Sequence, residues 1–395
     1  MDAERKVELI PDDSPYCLNE TPAIRERIQA DLRTVVAAVL EAVTPVRPVT
    51  AIALVGGFGR GEGGVLMREG RPAPVNDYDL VLTVPPSSVP AKRRVRKILA
   101  ALSAGLEKEL GIAVDLDLRD PNDLAGAPNI IAWYEIQAGN KILWGDVNAL
   151  KPMPPLDPAK IPLWDGTLLL FNRAGGLLIA KRMLLENDFG DAGKKMYIVI
   201  QLAKAMLAWG DCLLIREKRY CASYTERMLR AHDVSLADVP DGREIIRLYK
   251  EMLELKVRPD FSPYTSRNFK PWLDECAARH GRFFKWWEEK RLGANFATWD
   301  DYAKSTPVKF ERGGNRLRFF ASNFARLGPP HSIREFRRYL LPMRERLIDA
   351  MPLLLFEPTA PNLAKAAKIL RAAPQEKDET ALQTQLIRRY VSLWH

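Results

Sequence analysis

Ala51-Ile52-Ala53-Leu54-Val55 runs directly into Gly56-Gly57-Phe58-Gly59-Arg60-Gly61, and after a Gly- and Pro-broken stretch the chain resumes as Asn76-Asp77-Tyr78-Asp79-Leu80-Val81-Leu82. Two short apolar runs bounded by turn residues predict two strands separated by a glycine turn. Side chains alternate along a strand, so Asp77 and Asp79 share one face while Tyr78 and Leu80 take the other. Neighbouring carboxylates repel unless a cation lies between them, and hard divalent ions are held by carboxylates together with substrate phosphates.

A third acidic element follows. Gly111-Ile112-Ala113-Val114-Asp115-Leu116-Asp117-Leu118 alternates strictly, which predicts a strand with both aspartates on one face. Between the acidic strands, Val95, Ile98, Leu99, Leu102, Leu106 and Leu110 keep helical spacing after Ser88 and Pro90, so the predicted order is strand, glycine turn, strand, helix, strand. Either Asp115 or Asp117 suits the third acidic position. The nineteen residues between Gly57 and Asp77, with Gly70, Pro72 and Pro74 among them, predict an inserted hairpin tip or loop.

Gly59-Arg60-Gly61-Glu62-Gly63-Gly64 formally fits the dinucleotide fingerprint G-x-G-x-x-G, but that fingerprint must open a helix of several turns, and Val65 to Asn76 is short and broken. The Gly-Lys-Ser/Thr ending of a P-loop is absent. Glu62 reads as a solvated charge.

Gly-Gly-Phe-x-Arg-Gly, then Asp-x-Asp-hydrophobic at a strand start, then a later Asp strand, resembles the polymerase-beta-like nucleotidyltransferase superfamily over roughly residues 50 to 150. The resemblance implies an α/β fold, a small mixed sheet with flanking helices. It implies transfer of a nucleoside monophosphate from an NTP to an acceptor hydroxyl with release of pyrophosphate. By position, Gly56 and Gly57 would line the triphosphate, Arg60 would sit near it, and Asp77, Asp79 and Asp115 would hold two Mg2+ (or Mn2+) ions. Gly-rich turns let backbone N–H groups approach phosphate oxygens, and a helix N-terminus after the turn adds a favourable dipole. Many members carry Ser where Gly57 stands.

The whole chain sets the context. At 395 residues and 47% hydrophobic composition it can bury a sizeable core in two or three domains. No run approaches the roughly 18 apolar residues of a membrane span, and Met1-Asp2-Ala3-Glu4-Arg5 lacks a signal peptide's apolar region, so a cytoplasmic site without membrane partners is expected. Cys17, Cys212, Cys221 and Cys276 show no metal or redox spacing, alone or with the four histidines. The net charge of +9 is uneven: residues 1–150 carry −4 and the remainder +13. An acidic metal-binding module beside a basic one suits an anionic substrate.

Trp133-Tyr134-Glu135-Ile136-Gln137 and Lys141-Ile142-Leu143-Trp144-Gly145 flank a Gly-Asn turn and read as a hairpin closing a catalytic domain at 1–150. Lys151-Pro152-Met153-Pro154-Pro155, with Pro158 and Pro162, reads as a stiff linker. A helical acceptor-side domain is expected over 151–300, with long helices at Leu168–Leu185 and Lys194–Ile215 paired antiparallel. Within it Lys204, Asp211, Tyr220 and Arg227 read as structural polar contacts. A basic helical C-terminal region is expected over 301–395. There Lys309 to Arg346 holds ten Lys and Arg against three acids, interleaved with Phe319, Phe320 and Phe324. This is the best nucleic-acid candidate, although the phenylalanines also suit the buried stripe of a solvated amphipathic helix, with Arg316, Arg318 and Arg326 on its wet side. The acceptor remains open between a small molecule, a protein side chain and an RNA end. A second reading is a catalytically weak nucleotide-sensing or RNA-binding protein that keeps the fold.

Overall fold

A computed structural model describes residues 7–395 apart from 76, 307, 311–313, 374–375, 377 and 395. The chain is α/β, with a four-stranded mixed sheet, a small second sheet and a mostly helical C-terminal region. It separates into two compact units. One comprises Met1–Ile161 with Glu217–His232 and Leu253–Asp260, the other Pro162–Arg216, Asp233–Met252 and Phe261–His395.

In the first unit α1 (Pro22–Val43) starts at Thr21, whose side chain accepts from the Ile24 N–H. There follow β1 (Ala51–Val55), the single turn α2 (Gly56–Gly59), β2 (Val65–Arg68), β3 (Arg71–Pro74), β4 (Tyr78–Thr83), α3 (Val89–Leu110), β5 (Val114–Arg119), α4 (Pro121–Ala125), α5 (Ile131–Ala138) and β6 (Lys141–Gly145). The sheet order is β5-β4-β1-β6; β4 and β5 are parallel, and β1 runs antiparallel to β4 and β6. Two parallel strands need a crossover, and α3 supplies it. β2 and β3 form the inserted hairpin, turning at Glu69 and Gly70, both at positive φ as tight hairpin turns require.

Period-2 alternation sorts the sheet's faces. Ile52, Leu54, Tyr78, Leu80, Leu82, Val114 and Leu118 join Leu32, Val36 and Val39 of α1 and Val95 and Leu99 of α3 in one core. Ala53, Val55 and Val81 point to the other face, against Ile136, Ile142 and Leu150. Asp79 and Asp115, directly opposite each other in the β4–β5 ladder, share that second face. In the main core the Tyr78 hydroxyl donates to the buried Asp31 carboxylate at 3.0 Å, which Arg27 also engages.

Three expectations change here. The segment expected as a strand over 133–137 is helix α5. Its aromatic residues suggest a strand, but Trp133 and Ile136, three apart, lie on one helical face and pack with Leu124, Ala127 and Met153. The proline-rich stretch is not a free linker at 151. Gln137 donates to the Pro154 carbonyl and accepts from the Leu156 N–H, and Asn129 bonds Asp157 twice, so the first segment of this unit runs on to Ile161. A third domain beginning at 301 does not separate, because residues 261–395 form part of one unit.

In the second unit α6 (Leu163–Leu185) and α7 (Ala192–Arg216) pack along each other as the expected antiparallel pair. Among the described residues α7 alone is long and apolar enough to cross a membrane, and 78% of its apolar window is buried inside the unit, as in a core helix. Asp211 on α7 accepts from Tyr249 at 2.6 Å. α8 (Tyr224–Arg230) belongs to the first unit; after α9 (Gly242–Val257) the longer helices of the second are Phe269–Leu292, Arg316–Leu327, Met343–Leu355, Ala360–Leu370 and Glu379–Trp394. The expected buried phenylalanine stripe on Arg316–Leu327 is only partly realised: Asn323 and Leu327 face inward, Phe319 and Phe320 are half-buried, and Phe324 is 47% exposed.

Replacing Tyr78 with Phe leaves the buried Asp31 carboxylate short of a donor and should lower unfolding stability by about 1–2 kcal/mol in urea titration; an unchanged midpoint would show that this hydrogen bond contributes nothing.

Candidate functional site

The site lies where β1 ends and β4 and β5 begin. Carboxylate oxygens of Asp77, Asp79 and Asp115 approach within 4.8 Å of one another. Asp117, two residues along on the same face, pairs with Arg119 and lies outside this group. The motif residue Asn76 lies outside the described residues.

The geometry explains the glycine in front of the aspartates. Gly56 has φ +66°, and a Cβ there would overlap the Asp79 carboxylate, so only a glycine lets the turn sit against Asp79. Gly57 is different: a Cβ would find its nearest atom, the Glu62 carbonyl oxygen, at an ordinary 3.5 Å. The short α2 uses its own carbonyls for the Arg60, Gly61 and Glu62 N–H groups, and four residues are too few to build the dipole expected of a longer helix.

Burial, followed by the charges of Asp77 and Asp115, pushes the Asp79 carboxyl up to about 7, against the opposing influence of Lys256 and Arg60. Burial and the like charge of its two neighbours thus outweigh Lys256 and Arg60 at this carboxyl. All donors are carboxylate oxygens, with no His or Cys in the described group, which fits Mg2+ or Mn2+ and not a thiolate- or imidazole-favouring ion.

Arg60 does not stand at the mouth of the turn as a solvated charge. Its side chain is only 4% exposed, 3.5 Å from Glu135 and stacked on the Tyr224 ring at 4.9 Å, yet none of its three nitrogens makes a hydrogen bond among the described residues. Buried donors in this state favour an acceptor-rich neighbour. Burial alone would raise Glu135, but Arg227, Arg60 and the Tyr220 hydroxyl at 2.6 Å hold it down to about 2.

Glu62, expected to be solvated, is 4% exposed and fully engaged. Its carboxylate accepts from the Ser223 hydroxyl at 2.7 Å, the Tyr224 N–H at 2.7 Å, and the Thr225 hydroxyl and N–H at 2.8 and 3.1 Å. It thereby fastens the start of α8 to the glycine turn. Tyr220 and Arg227, read from sequence as bland contacts, converge on Glu135 in the same unit; Lys204 and Asp211 belong to the other. Lys256, 5.9 Å from the Tyr224 ring centre, escaped the sequence reading altogether. The one available signal was Ser223-x-x-Glu226, which marks a helix start: Ser223 accepts from the Glu226 N–H, although nothing in it points to Glu62.

Compared with protein-family models, curated proteins and solved structures, the chain matches none of them.

Two outcomes follow from the geometry. Gly56→Ala should cost more than the ~1–2 kcal/mol of the left-handed backbone because it also displaces Asp79, whereas Gly57→Ala should stay within about 0.5 kcal/mol; paired urea unfolding curves decide. Asp79 titrates near 7 when folded and near its ordinary value when unfolded, so the folded chain holds the extra proton between those limits. Its contribution is therefore present at low pH and lost as pH rises towards and through 7. Asp79→Asn should flatten that part of the profile and raise metal-free stability at pH 8 in thermal melts; a variant less stable than the parent at pH 8 contradicts the assignment.

Proposed function

We propose that the first unit is a polymerase-beta-like nucleotidyltransferase domain that moves a nucleoside monophosphate from an NTP to an acceptor hydroxyl and releases pyrophosphate. The observation that carries this reading is the carboxylate group of Asp77, Asp79 and Asp115 beside the positive-φ glycine at position 56. Asp77, Asp79 and Asp115 are the residues to hold divalent cations. Bound Mg2+ or Mn2+ would supply charge neutralisation and Lewis acidity at the phosphoryl oxygens.

The chain's own residues do the rest. The turn at Gly56 and Gly57 is backbone without side chains of its own, and Gly56 brings it directly against the Asp79 carboxylate. Arg60 offers buried, unbonded guanidinium donors to anionic oxygens while Glu135 and Tyr224 fix its place. Asp115, exposed beside the half-buried Asp77 and Asp79, takes the proton of the acceptor hydroxyl. The acceptor oxygen forms a bond to the α-phosphorus, the bond to the bridging oxygen breaks, and pyrophosphate carries away that electron pair.

The alternative, a nucleotide-sensing or RNA-binding protein that keeps the fold, has little use for three mutually repelling carboxylates. It differs in one observable: it binds without releasing pyrophosphate.

Each α-phosphate-labelled NTP, incubated with Mg2+ or Mn2+ and fractionated cell extract, should transfer label and release pyrophosphate, and Asp79→Asn should abolish both. Nucleotide binding without release under all conditions would overturn the transferase reading in favour of the sensor.

A further inference from the structure

The basic stretch between Lys309 and Arg346 divides into two sets of cations. Lys309 and Arg338 pair with the buried Asp349, Arg346 is buried beside Glu335 and donates to the Ile369 carbonyl, and Arg326 donates to the Leu393 carbonyl. These hold the second unit together. The side chains of Arg316, Arg318 and Arg337 are exposed and make no ion pair or hydrogen bond among the described residues.

Beside them lies a continuous apolar surface. Leu317 is 79% exposed, Ile333 74%, and Phe324 and Phe336 more than two-fifths each. Ring contacts join its phenylalanines: Phe320 stacks on Phe324 at 6.1 Å and meets Phe336 at 5.3 Å. The patch spans the helices Arg316–Leu327 and Ile333–Tyr339, and Asn323 locks the second helix to the first by donating to the Tyr339 and Leu341 carbonyls at 3.0 and 2.9 Å. The platform is thus held in place from below, with its rings and guanidinium groups presented outward. Contiguous exposed apolar surface of this kind is costly in water and marks interaction sites.

We propose that this face is a docking surface for a single-stranded nucleic acid, with Phe324 and Phe336 stacking on unpaired bases and Arg316, Arg318 and Arg337 neutralising the phosphodiester chain. Aromatic rings interleaved with cations fit that chemistry, because every base has a π-face and every linkage a charge. The cations are all arginines, whose planar guanidinium both stacks and bonds phosphate oxygens in pairs. The second unit, which carries this face, has a net charge of +10 and attracts a polyanion. A lipid surface suits the face less well. A helix lying in a membrane interface turns its full apolar side to lipid, whereas here the centre of that side, at Asn323 and Leu327, points into the protein. The inference is independent of the transferase reading, since it concerns binding alone.

The test is fluorescence anisotropy on the full chain, without metal or nucleotide, using labelled 20-nucleotide oligo-U and oligo-dT, a duplex of equal length, and anionic vesicles. Single strands should bind more tightly than the duplex, and three phosphate contacts predict a loss of roughly 20-fold in affinity between 50 and 200 mM salt. Phe324→Ala with Phe336→Ala should weaken binding by about tenfold per ring and leave the salt slope unchanged. Arg316→Gln with Arg318→Gln and Arg337→Gln should weaken binding and flatten the slope. All five side chains are exposed, so thermal melts should match the parent. The proposal is overturned if no single strand binds at 50 mM salt, if duplex or vesicles bind better, or if the phenylalanine pair changes nothing. It is equally overturned if neutralising Arg93, Arg94 and Lys97 on the exposed face of α3 removes the binding instead.

Discussion

Repulsion among three carboxylates is the constraint around which the first unit is built. Parallel pairing of β4 with β5 sets Asp79 opposite Asp115, and strand alternation turns both to the face that α1 and α3 do not cover. The chain could relieve the repulsion by moving the strands one residue out of register, but that would turn Leu80, Leu82, Val114 and Leu118 out of the main core. The core thus holds the acids together. The local electrostatic cost is thus held in place by apolar burial on the opposite face of the sheet.

A second layer of charge keeps the glycine turn in place, and it works by the opposite logic. Glu62 is buried and Glu135 half-buried, each with more than enough partners: four donors reach Glu62, while Arg227, Arg60 and Tyr220 reach Glu135. Removing either acid would strand its buried partners, which is costlier than the pair's net worth when intact. Through these two residues the segment from Glu217 to His232 becomes part of the same unit as the sheet, although the long helices α6 and α7 separate them in sequence. At Asp79 burial and like charge outweigh the nearby cations, whereas Glu62 is satisfied by neutral donors and Glu135 by two arginines and a tyrosine.

What could be read from sequence follows from how local each cause is. Strand alternation at Asp77 to Leu82 and Val114 to Leu118, the helical spacing from Val95 to Leu110 and the inserted hairpin are short-range patterns, and the structure contains them as read. The errors depend on contacts that no local pattern announces. Nothing within ten residues of Glu62 tells that Ser223 and Thr225 will come to it, so an exposed charge was the natural reading. Trp133 and Tyr134 favour a strand until the packing of Trp133 and Ile136 against Leu124 decides for a helix. The prolines after Lys151 read as a linker because the side chains that bind them, Gln137 and Asn129, carry no pattern of their own.

Charge counting shows the same limit in a sharper form. Ten cations between Lys309 and Arg346 suggest a single basic surface, but a cation beside a buried carboxylate belongs to the core whatever its sequence neighbours. Lys309 is almost wholly buried, held by Asp349 and the Thr306 carbonyl and set over the Tyr302 ring, so it adds little field outside the protein. Arg316, Arg318 and Arg337 differ from it only in lacking such a partner among the described residues, and composition cannot express that difference. The phenylalanines divide in the same way, since a helix twelve residues long can bury one arc of its surface and must leave its flank to water or to whatever docks there. Which arc is buried is decided by Asn323, a polar residue that the apolar pattern would have turned outward and that instead ties two helices together by donating to two carbonyls.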